Sequence, residues 1–321
     1  MSVLAASPID PLGDIVGGRY EDSLVVVARR IGGWPRRARG SVRTLHFDMV
    51  THDHRLVVTH DVRPEDVDDD LAGVIVDELF TPGWVRGSEM FERIFTGVVR
   101  TSAANALESW ELFYRNTIRR LSAGSRPADS EAAAVARASA SGDHGSITDG
   151  SGTHGSIADY APVYDRAVAL VHPGSVLELG SCFGFLALRL AAVGHRTTAS
   201  DVSAGTVRLL ASIAPRLGVP LAVLLADAAR VPVVDGFADT VVVIHLLEHL
   251  EPDHGDKVVA EAIRCARRRV VVAVPLEREA DESYGHLRTI GLDDLRTWGR
   301  SSRLPFEVAE HHGGWLVLDK G

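Results

Sequence analysis

Between residues 178 and 249 the sequence sets out acids, glycines and histidines whose spacing suits the capture of a nucleotide-like ligand beside a reactive polar cluster. Val176-Leu177-Glu178-Leu179-Gly180-Ser181-Cys182-Phe183-Gly184 reads as an apolar strand that carries an acid and runs into a glycine-rich turn. Glycine at 180 and 184 lets backbone approach a ligand closely and reach dihedrals that side chains resist. Asp201 follows Gly180 by about 20 residues, the place where an acid accepts ribose hydroxyls in a doubly wound nucleotide site. Asp227, in Leu225-Ala226-Asp227-Ala228-Ala229, closes a third apolar stretch, where a carboxylate can meet an adenine amine. Any one of these acids would serve as a helix cap or a surface charge; their recurrence at successive strand ends is what points to a ligand. A fourth apolar stretch ends in His245-Leu246-Leu247-Glu248-His249. If the chain turns helical there, His245, Glu248 and His249 share a face. Such a trio can supply a general base, with Glu248 orienting His249, or hold a divalent ion, or form a structural polar cluster against the ligand.

These residues need a frame that brings strand ends together. Strand patterns fall at Ser175 to Leu179, Arg196 to Ala199, Leu221 to Leu225, Ala238 to His245 and Arg269 to Val274. Helical patterns separate them at Phe185 to Val193, Ala204 to Leu217 and Asp256 to Ala266. The alternation predicts an α/β fold with a doubly wound parallel sheet, whose ligands sit at the C-terminal strand ends near the point where strand order reverses. His286, in Tyr284-Gly285-His286, follows the fifth strand and can reach the same cleft or remain a loop histidine.

Residues 1–121 carry their own pattern and predict an N-terminal α+β region for substrate capture or dimerisation. Val42 to Asp48 and Leu56 to Asp61 read as strands joined at His52-Asp53-His54, Pro64 as a helix start, and Glu89 to Leu121 as one long helix. Trp110, Phe113 and Tyr114 on that helix suit core packing or an aromatic cover for a cleft. Residues 122–155 are rich in Ala, Ser, Gly and Asp and read as a flexible linker. Within it His144-Gly145-Ser146-Ile147 is echoed by His154-Gly155-Ser156-Ile157, a short duplication in a tolerant loop. Residues 156–321 form the expected ligand-binding domain.

The 321 residues carry a formal net charge of −9, so no global grip on nucleic acid is expected. The runs Arg36-Arg37-Ala38-Arg39 and Arg267-Arg268-Arg269 read as solvated surface. Two cysteines, Cys182 and Cys265, make no disulfide framework. With no basic start before an apolar core and no membrane-length apolar run, the expectation is a cytoplasmic protein without a membrane span; an oligomer is open.

From about Tyr160 to Gly321 the pattern resembles the class I S-adenosylmethionine (SAM)-dependent methyltransferases. The resemblance implies a Rossmann-like domain that uses SAM as cofactor. It makes Glu178 the acid of the first motif, Gly180 and Gly184 its outer glycines, Asp201 the ribose acid and Asp227 the residue beside the adenine. The expected cofactor contacts are thus Glu178, Gly180, Cys182, Gly184, Asp201, Asp227, Ala228 and His245; the expected catalytic residues are His249, Glu248 and His245. Leu247-Glu248-His249-Leu250 is similar to the fourth-strand signature of many small-molecule methyltransferases. Cys182 departs from the family, which has a middle glycine there, and its side chain is expected to narrow the turn. Some quinone-type O-methyltransferases hold a metal on an acid–acid–His cluster at this strand. His245 stands where the first acid would be, which weakens the metal case, and no metal ligands are assigned. A nicotinamide dehydrogenase is disfavoured, because Gly180-x-x-x-Gly184 lacks the Gly-x-Gly-x-x-Gly spacing.

A narrower resemblance rests on Ser156 to Asp165 and on the turn Gly180-Ser181-Cys182-Phe183-Gly184-Phe185. Both look like the mycofactocin oligosaccharide methyltransferases of actinobacteria. That resemblance implies a glycan acceptor, methylated at the 2-hydroxyl of a glucose. The alternatives are O-methylation of a quinone, polyketide or lipid, and a non-catalytic SAM-fold binding protein.

Overall fold

The structure, a computed structural model, describes residues 9–34, 39–124, 157–280 and 285–321. The chain divides into two compact units, with the division between Ala161 and Pro162.

The first unit is built on five strands: β1 (Arg19–Glu21), β2 (Val25–Arg29), β3 (Val42–Arg43), β4 (Phe47–His52) and β5 (Arg55–His60). Their order is β1-β2-β5-β4-β3, with β2 and β5 parallel and the other pairs antiparallel. The expected hairpin is β4–β5. Asp53 and His54, both at positive φ (46° and 64°), make the turn, the backbone that two-residue hairpin loops require. The strand expected from Val42 is split, because Thr44 interrupts it by accepting from the Phe47 amide through its hydroxyl. Strands β1 and β2 escaped the sequence reading. A short helix α1 (Leu71–Ile75) continues as a wider turn through Phe80.

The long helix expected over 89–121 is two helices, α2 (Ser88–Arg100) and α3 (Ala106–Gly124). The break falls at Thr101 and Ser102, whose hydroxyls donate back to the carbonyls of Gly97 and Val98. Asn105 then restarts the helix by accepting from the Glu108 amide, the local competition that short polar side chains offer to a helix. Helix α2 lies close on the sheet at Gly97, where a Cβ would meet Val27 Cγ2 at 2.4 Å. Trp110, Phe113 and Tyr114 are buried. Phe95 and Trp110 both meet Phe113 edge to face, with centroids 5.7 and 5.5 Å apart. They are core residues of this unit. The linker expected at 122–155 overlaps the end of α3; residues 125–155, the first copy of the repeat and Arg36-Arg37-Ala38 lie outside the described residues.

The second unit follows helix α4 (Ile157–Leu170), which enters it at Pro162. Its chain order is β6 (Ser175–Leu179), α5 (Phe185–Ala192), β7 (Arg196–Asp201), α6 (Ala204–Ile213), β8 (Ala222–Leu225), β9 (Ala238–Ile244), α7 (Pro252–Cys265), β10 (Ala266–Val274), α8 (Leu292–Ser302), β11 (Phe306–Glu310) and β12 (Gly314–Asp319). The seven strands lie in the order β11-β12-β10-β9-β6-β7-β8. Strands β6 to β10 are parallel, and β12 enters antiparallel between β10 and β11. The sheet is therefore doubly wound, with an antiparallel hairpin added at one edge. The expected α/β class holds, and the closing hairpin is the part the sequence reading lacked.

Side chains alternate across the central strands as a two-residue repeat requires. Leu177, Leu179, Val241, Val243, Val270 and Val272 pack in one core with Val258 and Ala262 of α7. Val176, Val242, Ile244 and Val271 pack in the other with Leu186 and Leu190 of α5. Helices on both faces explain why these strands are near-continuous Val and Leu. The arginine run is partly structural: Arg267 donates to Asp239 at 2.6 Å and Arg269 to Asp319 at 2.8 Å. The chain leaves β8 at one edge and returns to β9 beside β6, so strand order reverses between β6 and β9, the place where such sheets bind ligands.

Candidate functional site

The β6 side of this crevice is the glycine turn. Gly180, Cys182 and Gly184 all have positive φ, at 71°, 47° and 76°. A Cβ on Gly184 would stand 2.4 Å from Leu210 Cδ2, so glycine is required there by space as well as by dihedral. Cys182 holds the same left-handed backbone with a side chain, at a cost of about 1–2 kcal/mol. That side chain is exposed.

Asp201, the last residue of β7, is fixed by two backbone amides. Its Oδ2 accepts from Cys182 at 2.9 Å and its Oδ1 from Ser203 at 2.8 Å. A carboxylate oxygen has two lone pairs, so both oxygens keep capacity for ligand hydroxyls. Glu178 is buried on β6, with Oε2 lacking a hydrogen-bond partner. Burial pushes its carboxyl up to about 8, against the lowering effect of the Ala187 amide, and the nearby Asp201 charge adds to the rise. Asp227 lies two residues beyond β8, and its Oδ1 accepts from the Ala229 amide at 2.9 Å and contacts His254 Nε2 at 3.1 Å. Ala228 packs partly buried against the core.

The β9 side carries the polar cluster. His245 follows the strand with φ 51° while its amide donates to the Ala273 carbonyl at 2.9 Å. A histidine in this region is strained, and such strain concentrates at functional sites. Burial pushes its imidazole down to about 4, so it is neutral near pH 7. A 3₁₀ turn over Leu247–His249 then separates the trio. Glu248 turns inward and is 1% exposed. Its Oε1 lies 3.8 Å from His245 Nδ1, and burial pushes its carboxyl up to about 8.

His249 Nδ1 sits 3.2 Å from the Gly285 carbonyl oxygen, and the His249 ring meets the His286 ring edge to face at 4.8 Å between centroids. Burial, with the charge of His286 next, holds its imidazole below the usual histidine value. Glu248 makes no hydrogen bond to His249; a carbonyl of the loop after β10 holds the His249 ring instead. His286 is held in turn by Glu277 Oε2, 2.8 Å from its Nδ1. The loop is tied down where the Leu287 amide donates to the Glu248 carbonyl at 2.8 Å. Glu277, Gly285 and His254 carry no motif in the sequence, and only the fold brings them here.

The residues present fit a nucleoside ligand on three counts: a turn without side chains at 180 and 184, an anchored carboxylate at the end of β7, and a buried carboxyl oxygen without a partner behind the turn.

Residues 176–269 match the family described as a methyltransferase domain. No curated protein sequence is close enough to count as a relative. Among solved structures, magnesium protoporphyrin IX methyltransferase from Synechocystis PCC 6803 with bound SAM is 20% identical, covering 54% of this chain and 87% of that one at TM-score 0.42. A SAM-dependent methyltransferase from Aquifex aeolicus is 17% identical over 48% and 85% of the two chains, TM-score 0.40. One from Methanosarcina mazei is 15% identical over 48% and 96%, TM-score 0.41. With TM-scores this low, the family match and the strand order carry the assignment. The second unit contains a class I SAM-dependent methyltransferase domain. SAM is its cofactor, and the enzyme class is methyl transfer, EC 2.1.1.-. Among the described residues no helix is long and apolar enough to cross a membrane.

Proposed function

We propose that the protein is an O-methyltransferase that transfers the SAM methyl group to a hydroxyl of a glycan, the 2-hydroxyl of a glucose in the mycofactocin oligosaccharide. Gly180, Cys182 and Gly184 would line the methionine side of the cofactor and Glu178 would support them. Asp201 would take the ribose hydroxyls; Asp227 and Ala228 would flank the adenine. When bound, SAM supplies an activated methyl group: the methyl–sulfur bond breaks as the acceptor oxygen bonds to the methyl carbon, leaving S-adenosylhomocysteine.

A hydroxyl is a poor nucleophile at neutral pH, so its activation is the chemistry left to the protein. The observation that carries the reading is the hydrogen bond between His249 Nδ1 and the Gly285 carbonyl. A carbonyl only accepts, so the proton sits on Nδ1 and the lone pair on Nε2. His249 Nε2 is the atom assigned to activate the hydroxyl, with His245 and Glu248 completing the polar wall. The glycan acceptor rests on the resemblance of Ser156 to Asp165 and of the Gly180 to Phe185 turn to the mycofactocin enzymes. The N-terminal unit is assigned to acceptor capture or dimerisation.

The test is to incubate the purified chain with SAM and a panel of glucosides, gluco-oligosaccharides and quinols, following S-adenosylhomocysteine release and product mass. Methylation confined to the glucosides, at the 2-position by NMR, supports the reading. Methylation of quinols alone, or of nitrogen or sulfur acceptors, overturns the glycan assignment.

A further inference from the structure

Among the described residues, Glu248, His249 and His286 each offer a ligand atom within 4.8 Å of the other two. Glu248 is 1% exposed, and neither of its carboxylate oxygens has a hydrogen-bond partner. Burying an unpaired carboxylate costs several kcal/mol; of the nearby charges, that of Glu277 opposes the ionised form and that of Arg288 favours it without a hydrogen bond to either oxygen. The His245 imidazole stands 3.8 Å away, and Arg288 directs its Nε to the Leu247 carbonyl at 3.4 Å. A carboxylate left in this condition is an acceptor in want of a cation.

The two histidines are backed in the manner of metal ligands. His249 is anchored at Nδ1 by the Gly285 carbonyl at 3.2 Å, and His286 at Nδ1 by the Glu277 carboxylate at 2.8 Å. Each contact fixes a tautomer whose lone pair lies on Nε2. Histidines that bind metals nearly always carry such a carbonyl or carboxylate behind the ring. The three donors stand on a 3₁₀ turn and a loop joined by the Leu287–Glu248 backbone hydrogen bond.

We propose that Glu248, His249 and His286 bind one divalent transition-metal cation, with a coordination position open to the acceptor hydroxyl. Two imidazoles and one carboxylate suit zinc and its neighbours rather than magnesium, which prefers oxygen ligands. Three protein ligands leave room for a fourth, oxygen ligand, as in catalytic zinc sites. The role in the reaction rests on the methyltransferase reading above; binding of the ion does not. In that role the cation lowers the pKa of the bound hydroxyl. With the ion bound, His249 is a ligand and not the base assigned above in its absence, and the hydroxyl proton leaves to bulk water.

The experiment uses the full chain, stripped with a chelator, dialysed and checked for fold by circular dichroism. Zn²⁺ is titrated calorimetrically, and Co²⁺ serves as a visible-absorption reporter of coordination geometry. The expected result is one tight Zn²⁺ per chain and intense Co²⁺ bands. Glu248→Gln and His286→Ala should lose the site, and Glu277→Gln should weaken it about 10–100-fold, with SAM affinity kept in all three. A folded wild-type chain that takes up no Zn²⁺ overturns the proposal. So does Zn²⁺ affinity unchanged in both Glu248→Gln and His286→Ala. Full methyl transfer by chelated, metal-free protein overturns the catalytic role of the cation and leaves the methyltransferase reading standing. Zn²⁺ binding through these residues without any SAM binding upholds the site and removes the methyltransferase reading.

Discussion

The amide of Cys182 donates to Oδ2 of Asp201 over 2.9 Å, tying the glycine turn after β6 to the end of β7. One carboxylate thus shapes the turn and faces the crevice. The Asp201→Ala substitution removes the proposed ribose acceptor and the anchor of the turn together. Hydrogen bonds to a charged group contribute about 1.5–3 kcal/mol each. Calorimetry should therefore show SAM binding weakened by about 100-fold or more for two lost bonds, and unchanged affinity would remove Asp201 from the site.

Cys182 occupies left-handed backbone at φ 47°. Glycine adopts that conformation without the Cβ penalty, although it adds some unfolded-state entropy. Cys182→Gly should leave stability equal or raise it by up to about 1 kcal/mol, with SAM affinity at least maintained. A large loss of SAM affinity in calorimetry would show that the cysteine side chain contributes a contact. Gly184→Ala should do the opposite: its Cβ would press on Leu210 at 2.4 Å, and thermal unfolding should start several degrees lower.

His249→Ala should lower turnover by about 10²-fold or more while SAM affinity stays nearly intact, since Nε2 is assigned to the acceptor and not to the nucleoside. Single-turnover rates with parallel calorimetry separate the two effects. Equal turnover in variant and wild type would remove His249 from the chemistry.

In the first unit His60 is fully buried, its Nε2 2.8 Å from the Thr101 hydroxyl. Burial pushes it down to about 3, and the Arg29 charge acts in the same direction. Its folded pKa lies below the ordinary 6.5, so below that value the unfolded chain binds a proton that the folded chain refuses. The stabilisation is complete above pH 6.5 and is lost as pH falls toward 3, at up to about 1.4 kcal/mol per pH unit. Urea midpoints measured between neutral and mildly acidic pH should fall for wild type, and the slope should flatten in His60→Gln. Parallel slopes would assign the acid sensitivity elsewhere.

Much of the fold was legible because its signals are local. An apolar five-residue strand, a left-handed glycine turn and an apolar helix leave their pattern within a few positions of each other, and Ser175–Leu179 is a strand end to end. The long helix over 89–121 was misread because hydrophobic spacing continues across Thr101 and Ser102, while the break is made by hydroxyls returning to the backbone. Strand β11 escaped because Phe306–Glu310 lies at the sheet edge, with no buried face to impose an alternating pattern.

By itself the sequence determined the doubly wound class, the placing of Glu178, Asp201 and Asp227 at or near successive strand ends, and the clustering of His245, Glu248 and His249 after the fourth strand. Tertiary structure decided what those groups meet. It buried Glu248 and supplied Gly285 and Glu277 from the loop after β10 as the partners of the two facing histidines. The physical reason is the range of the forces. Backbone conformation and burial periodicity are written over a few residues, whereas a hydrogen bond between His249 and Gly285 depends on where a strand and a distant loop are set by packing.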